Sequence, residues 1–158
     1  MQTELPNFPR LTSLTLDLAK TKLLDANSFN NLLGDGGPRL RKLKLSGLDL
    51  SNTNVLSAFG CLAKHKTLEV LDLNLVFKEK KEELKIDFDE TAINLTLKKL
   101  KVRVAKKGHR KYVLPPSWMH FIRMFRNLKH LAFSSVTFPD FMIDLLNCPL
   151  PLQSLRLI

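Results

Sequence analysis

The side chains able to act in catalysis are scattered along the sequence. Its four histidines are His65, His109, His120 and His130. No two of them are four residues apart, the spacing that would place two metal ligands on one helix face. Asp87, Asp89 and Glu90 could approach a cation, but the remaining ligands and the glycine of a calcium loop are missing. We expect surface or interface histidines, a charged turn and no metal site.

Two further motifs also favour structure over chemistry. Gly34-Asp35-Gly36-Gly37 lacks the lysine and the spacing of a phosphate loop, and it falls where a helix must end before a strand. Cys61 and Cys148 have no identifiable partner base and no further cysteines to complete a metal site. We expect reduced thiols in a cytoplasmic or nuclear protein, with a disulfide between them as the alternative. The sequence therefore predicts no enzyme and no cofactor.

The leucines, in contrast, are regularly spaced. The pattern Leu-x-x-Leu-x-apolar occurs six times, with first positions at 11, 40, 68, 97, 128 and 152, and 16 of its 18 framework positions are leucine. The second and third framework positions are two residues apart, which puts both side chains on one face of a strand. Regular spacing of this kind indicates a repeated structural unit rather than a merely leucine-rich chain.

Segments with helical spacing follow several of the predicted strands. Trp118, Phe121, Ile122 and Phe125 form one such stripe, typical of a helix face that packs on a core. Ser117 and Asp140 stand where N-caps are expected. Because a crossover helix separates successive strands, we expect about six parallel, neighbouring strands. The fold class is therefore α/β, in a single domain spanning residues 1–158.

These six registered patterns resemble leucine-rich-repeat proteins, with a repeat length nearest the ribonuclease-inhibitor type. The resemblance covers residues 11–157 and implies a horseshoe-shaped solenoid, with strands on the concave face and helices or loops on the convex face. The family usually places Asn or Cys three residues after the third framework position. This chain has Ala19, Leu48, Val76, Ala105 and Val136 there. We expect its turns to be closed by backbone groups or water.

Irregular repeats of this kind are similar to those in the substrate-binding half of F-box proteins. Ser46-Gly47-Leu48-Asp49-Leu50 and Pro115-Pro116-Ser117-Trp118 look like linkers of that class. The F-box itself is missing, since Glu4-Leu5-Pro6 only faintly matches its opening residues. The resemblance thus implies a ubiquitin-ligase adaptor that recognises substrates. This role is implied by the resemblance alone, and no motif in the chain points to it separately. A fragment of a longer solenoid would explain the missing polar caps, and pairing through the ends is the alternative.

The chain has a formal charge of +10, and the excess is concentrated. Residues 91–139 contain eleven Lys or Arg and no Asp or Glu, whereas the rest has 14 basic and 15 acidic residues. The strand period places a set of polar residues on the concave face. They are Lys42, Lys44, Asp72, Asn74, Lys99, Lys101, Arg103, His130, Ser134 and Arg156. We predict a basic binding surface with Asp72 as an acidic interruption.

This surface suits an acidic protein partner. Nucleic acid is a second candidate, disfavoured because stacking aromatics are sparse and no reader motif occurs. A solvated face that only keeps the domain soluble is the third interpretation. No run approaches the ~18 apolar residues of a membrane span, so we expect no membrane partner. An extra strand or hairpin is expected between Phe77 and Leu95. Residues 106–116 read as an exposed loop, with a partner-contacting element and an ordinary surface loop as the two interpretations.

Overall fold

The framework leucines lie in the strands of one parallel sheet. The computed structural model describes residues 10–19, 31–34, 37–49, 53–76, 92–105, 117–134 and 141–158. In this part of the chain six strands pair in sequence order, all parallel. They are β1 (Ser13–Asp17), β2 (Lys42–Asp49), β3 (Val70–Val76), β4 (Lys99–Ala105), β5 (His130–Ser134) and β6 (Ser154–Leu157). The predicted α/β class with six parallel strands is confirmed.

Helices occupy several of the connections. They are α1 (Thr53–Lys64), α2 (Ser117–Arg123) and α3 (Phe141–Leu146), and residues 31–33 are helical too. In α1 the buried Phe59, Leu62 and Ala63 recur at a spacing of three and one, which keeps them on one face. The predicted stripe from Trp118 to Phe125 is also buried, so its assignment to the core is confirmed.

Strand register stacks equivalent leucines directly beside one another. The second framework positions form one row across the sheet: Leu14, Leu43, Leu71, Leu100, Leu131 and Leu155. The four inner members are at most 2% exposed, whereas Leu14 and Leu155 in the end strands are half-buried. Neighbouring strands are ~4.8 Å apart, so side chains in one row are in contact and bury apolar surface along its whole length.

The helices cover the leucine face of the sheet. Phe59 and Leu62 of α1 and Trp118 and Phe121 of α2 belong to the same buried cluster as the strand leucines. The rings of Phe59, Trp118 and Phe121 pack edge to face, with centroids 5.2–5.6 Å apart. The described part of the molecule therefore has two layers with one core between them.

Backbone hydrogen bonds join each strand entrance to the preceding one. The carbonyl of Thr12 accepts from the N–H groups of Arg41 at 2.8 Å and Lys42 at 3.0 Å. The same pair of bonds recurs at four further carbonyls, those of Arg41, Glu69, Lys98 and Lys129. Successive units are thus connected one to the next by the same geometry, which fixes the register of the sheet.

Two buried polar side chains close turns that precede strands. His65 is 7% exposed and Asn94 is 3% exposed. The His65 Nδ1 accepts from the Thr67 N–H at 3.3 Å, and the Asn94 Oδ1 accepts from the Thr96 N–H at 3.0 Å. The expectation of a surface or interface position is therefore wrong for His65. These turns lie before the strands, so they differ from the turns after the third framework positions for which closure by backbone groups or water is expected.

Strand β2 contains an irregularity at Gly47. The register with β3 shifts between Leu45 and Leu48, and Gly47 adopts a left-handed backbone with φ 70°. A side chain at Gly47 would meet the backbone nitrogen of Ala19. Glycine is thus required at this position for two reasons. The φ angle disfavours other residues, and the chain just after β1 passes too close to leave room for a side chain.

Some sequence predictions fall outside the described residues. They are the F-box-like Glu4-Leu5-Pro6, most of the predicted hairpin between Phe77 and Leu95, the loop at 106–116 and the Asp140 cap. The Ser117 cap can be compared. Ser117 is the first residue of α2, and its buried Oγ makes no hydrogen bond in the described structure, so the predicted N-cap is wrong.

Candidate partner-binding face

The strand residues that point away from the core form a second face, which we name the open face. In the strands, buried residues alternate with exposed or half-exposed ones, and the latter make up this face. It includes every residue predicted for partner binding: Lys42, Lys44, Asp72, Asn74, Lys99, Lys101, Arg103, His130 and Arg156. The structure therefore brings the predicted residues together on one surface.

Register arranges these residues in rows that cross the strands. The first row is Ser13, Lys42, Val70, Lys99, His130 and Ser154. The middle row is Thr15, Lys44, Asp72, Lys101, Ala132 and Arg156. A third row contains Asn74, Arg103 and Ser134. Because adjacent members are ~4.8 Å apart, one extended partner segment could contact several of them together.

Five cations of the open face make no ion pair with any described residue. They are Lys42, Lys44, Lys99, Lys101 and Arg156. Lys101 is half-buried, and the other four are exposed. These charges are accessible to solvent. Dissolved ions therefore screen their field over about one Debye length, ~8 Å at physiological salt. Within the described residues the face is therefore positive over β2, β4 and β6 and mixed around β3.

Asp72 and Arg103 form the ion pair at the centre of this face. The Arg103 Nη2 donates to the Asp72 Oδ2 at 3.4 Å, between side chains that are 40% and 20% exposed. The other oxygen, Asp72 Oδ1, and the Arg103 Nε are buried and make no hydrogen bond. Arg103 thus offsets the negative charge of Asp72, the residue predicted as the acidic interruption. The Asp72 Oδ1 can accept a further hydrogen bond, and the Arg103 Nε can donate one.

A second charged row lies at the strand entrances and was missed from the sequence. Arg41 donates to the Glu69 Oε2 at 2.9 Å, and the Lys98 Nζ lies 3.4 Å from the Glu69 Oε1. The hydrogen bond from Arg41, together with the charges of Arg41 and Lys98, lowers the pKa of Glu69. These residues are 28 and 29 positions apart, the same step as the leucines, and that step was the available signal.

The candidates for catalysis that the structure describes do not converge, and His109, Asp87, Asp89 and Glu90 lie outside the described residues. His65 is buried in a turn, His120 is exposed on α2 and His130 lies on the open face, where its Nδ1 is 2.9 Å from the Ser154 Oγ. No group of three metal-ligating side chains occurs among the residues that the structure describes. Neither Cys61 nor Cys148 is in a disulfide, and burial raises the pKa of the Cys61 thiol.

Comparison with other proteins adds no identification. The chain matches no protein-family model, no curated protein and no solved structure significantly. In the described residues, no helix has the length and apolar character required to cross a bilayer. The function must therefore be argued from the fold and from the open face themselves.

Proposed function

We propose that this chain is a leucine-rich-repeat solenoid that acts as a non-catalytic protein-interaction module. Its partner is a protein with an acidic surface, bound on the open face. The observation that carries this proposal is the charge of that face. It presents five cations without an ion-pair partner among the described residues, while its central acid, Asp72, is already paired with Arg103. Such an array steers and orients a partner of opposite charge.

The solenoid part of the proposal is supported by register. Consecutive strands are neighbours, every pair is parallel, and the framework leucines align across all six. Units stacked in sequence order, with each strand paired to the strands of the adjacent units, are characteristic of solenoid proteins. The strands would then line the concave wall, and the open face would be that wall. Resemblance to F-box proteins extends the proposal to the substrate-recognition part of a ubiquitin-ligase adaptor.

A protein partner is favoured over nucleic acid by the composition of the open face. Its described strand positions contain lysine, arginine, aspartate, asparagine, serine, threonine, small apolar residues and His130, and none is Phe, Tyr or Trp. Non-sequence-specific recognition of single strands relies on aromatic platforms for the bases. Without them, the face offers only charge to a phosphate backbone, and binding would be weak at physiological salt.

Charge reversal on the open face tests the proposal. The probe is a synthetic peptide of alternating glutamate and alanine, and the variant is Lys99→Glu with Lys101→Glu. We expect the wild type to bind the peptide, and the variant to bind it at least about tenfold more weakly, because two attractive charges become repulsive. Titration calorimetry at two salt concentrations measures the affinity.

The control variant is Arg123→Glu with Arg126→Glu, which changes the net charge equally. Both arginines are exposed and lie outside the sheet. We expect this control to weaken binding less than about threefold. If both double variants lose affinity equally, the peptide senses net charge only and the open face is not the site. Duplex DNA that binds more tightly than the peptide at physiological salt would support the nucleic-acid alternative instead.

A further inference from the structure

The middle row of the open face contains two similar intervals between cations. Across the strands it runs Lys44, Asp72, Lys101, Ala132 and Arg156. In the first interval Asp72 stands between Lys44 and Lys101. In the second interval Ala132 stands between Lys101 and Arg156. The two intervals thus have the same flanking charge and differ in the residue between them.

The first interval contains a carboxylate that the chain itself provides. Asp72 is held by Arg103 at 3.4 Å and is only 20% exposed, so its position is fixed by the sheet. Its charge offsets those of its neighbours in the row, since opposite charges on adjacent strands attract. The charge on this side of β4 is therefore partly balanced without any partner.

The second interval contains only the methyl group of Ala132, and a depression lies over it. Its volume is about 310 Å³. The polar and small residues around it come from β4, β5 and β6: Lys99, Lys101, His130, Ala132, Ser154 and Arg156. No acidic side chain contributes to its lining. We name this depression the Ala132 pocket.

The spacing of the two cations that flank the pocket suits one carboxylate. Lys101 and Arg156 lie two strands apart, which is roughly 10 Å between their backbones. Both side chains are long enough to reach a group placed midway, and neither makes an ion pair with a described residue. On the adjoining row, His130 and Ser154 are hydrogen-bonded at 2.9 Å and form a polar edge. A carboxylate over Ala132 would accept charge-assisted hydrogen bonds from both cations.

We propose that the Ala132 pocket binds one aspartate or glutamate side chain of an extended acidic peptide segment. The partner's carboxylate would stand between Lys101 and Arg156 as Asp72 stands between Lys44 and Lys101. The inference rests on the proposed function, because it assigns a particular subsite to the acidic partner of the open face. Charge complementarity and the missing side chain at one position of the row select this occupant over an apolar one.

Supplying the carboxylate within the chain tests the inference. In Ala132→Asp the new side chain occupies the place of the partner's carboxylate, so we expect affinity for the glutamate-alanine peptide to fall at least about tenfold. Ser134→Asp adds the same charge to the open face of the same strand, two residues away, and should cost less than about threefold. Ala132→Asn adds the same volume without the charge and should have an intermediate effect.

Peptide variants locate the carboxylate. Along a glutamate-alanine peptide only long enough to cross the open face once, so that it cannot shift its register, single Glu→Gln changes should identify one glutamate whose loss weakens binding to the wild type at least about fivefold. The same change should have no further effect on Ala132→Asp, as a double-mutant cycle requires of two groups at one site. If Ala132→Asp does not fold, Ala132→Leu obstructs the pocket by volume alone and should still weaken binding more than Ser134→Asp does.

The outcomes separate the pocket from the general proposal. If Ala132→Asp and Ser134→Asp weaken binding equally, and no single glutamate dominates, the Ala132 pocket is not a subsite although the open face still binds acidic peptides. If the wild type does not bind the peptide even at low salt, the proposed function fails and the pocket with it. A tenfold selective loss in Ala132→Asp supports both.

Discussion

Asn94 and His65 are 29 residues apart, and the Asn94 Nδ2 donates to the His65 carbonyl at 2.8 Å. The same amide donates to the Ala63 carbonyl at 3.2 Å. On its other side, the Asn94 Oδ1 accepts from the backbone N–H groups of Thr96 at 3.0 Å and Leu97 at 2.9 Å. One buried side chain therefore connects the end of α1 and the turn before β3 to the turn before β4, with both of its polar atoms bonded.

Replacing Asn94 with leucine should lower the free energy of unfolding by about 3 kcal/mol or more. The change keeps the volume but leaves the backbone groups that Asn94 satisfies buried and unpaired, each at a cost of about 1–3 kcal/mol. Asn127→Leu is the control, because Asn127 is exposed and its side chain makes a single bond, to the Leu95 carbonyl at 2.8 Å. It should cost less than about 1 kcal/mol. Urea unfolding measures both, and equal losses would contradict the role assigned to Asn94.

Two glycines should respond in opposite directions to alanine. Gly47→Ala should destabilise the protein by about 1–3 kcal/mol, because φ is 70° and the new Cβ would press on Ala19. Gly60→Ala should stabilise it by about 0.5–1 kcal/mol, because Gly60 lies within α1 and a Cβ there meets nothing within 4 Å. Thermal unfolding of the two variants beside the wild type tests both signs. A stabilising Gly47→Ala would show that the bulge tolerates a side chain.

The repeat spacing was sufficient to predict the sheet. Leu14, Leu43, Leu71 and Leu100 share a register because each unit has nearly the same length and each strand has the period of two. For the same reason the side on which Lys99 and Lys101 lie could be predicted. These features depend on local periodicity, which a single sequence displays directly.

Other features depend on contacts between units, which one sequence does not display. The role of Asn94 is one example, because its bonds to the Ala63 and His65 carbonyls form only when neighbouring turns stack. Gly47 was assigned to a linker, and its need for glycine comes from Ala19 on another strand. The Ala132 pocket likewise depends on the register of three strands, and an alanine in the sequence alone does not indicate a pocket.

Acid should weaken the fold through Glu69. The hydrogen bond from Arg41 lowers the pKa of Glu69 below its ordinary value of 4.5, with the charges of Arg41 and Lys98 acting in the same direction. A lowered folded-state pKa stabilises the protein above the ordinary pKa, and this contribution is lost as pH falls through the folded-state value. Glu69→Gln should therefore flatten the dependence of unfolding free energy on pH in this acidic range. Added salt should diminish the difference between variant and wild type, because the ion pairs are solvent-accessible.

Urea unfolding at a series of pH values, with and without added salt, measures the Glu69 effect. Glu69→Asp is a useful second variant, because it keeps the charge but shortens the reach to Arg41 and Lys98. It should retain part of the pH dependence. An unchanged pH profile in Glu69→Gln would mean that other carboxylates govern the acid response and that the entrance row adds no stability.

The aromatic cluster should be the most sensitive point of the helical layer. The ring of Phe121 contacts Phe59 at 5.2 Å, Trp118 at 5.6 Å and Phe125 at 5.0 Å between centroids, and Phe121 is fully buried. Phe121→Ala removes all three edge-to-face contacts and leaves a cavity between α1 and α2, so we expect a loss of about 3–5 kcal/mol. His120→Ala changes the exposed neighbour and should alter stability by less than about 0.5 kcal/mol. Trp118 is the only tryptophan of the chain, so its fluorescence reports unfolding and also local loosening of the cluster. A Phe121→Ala variant as stable as the wild type would show that the helices contribute little to the core, and that the leucine rows of the sheet alone hold the fold.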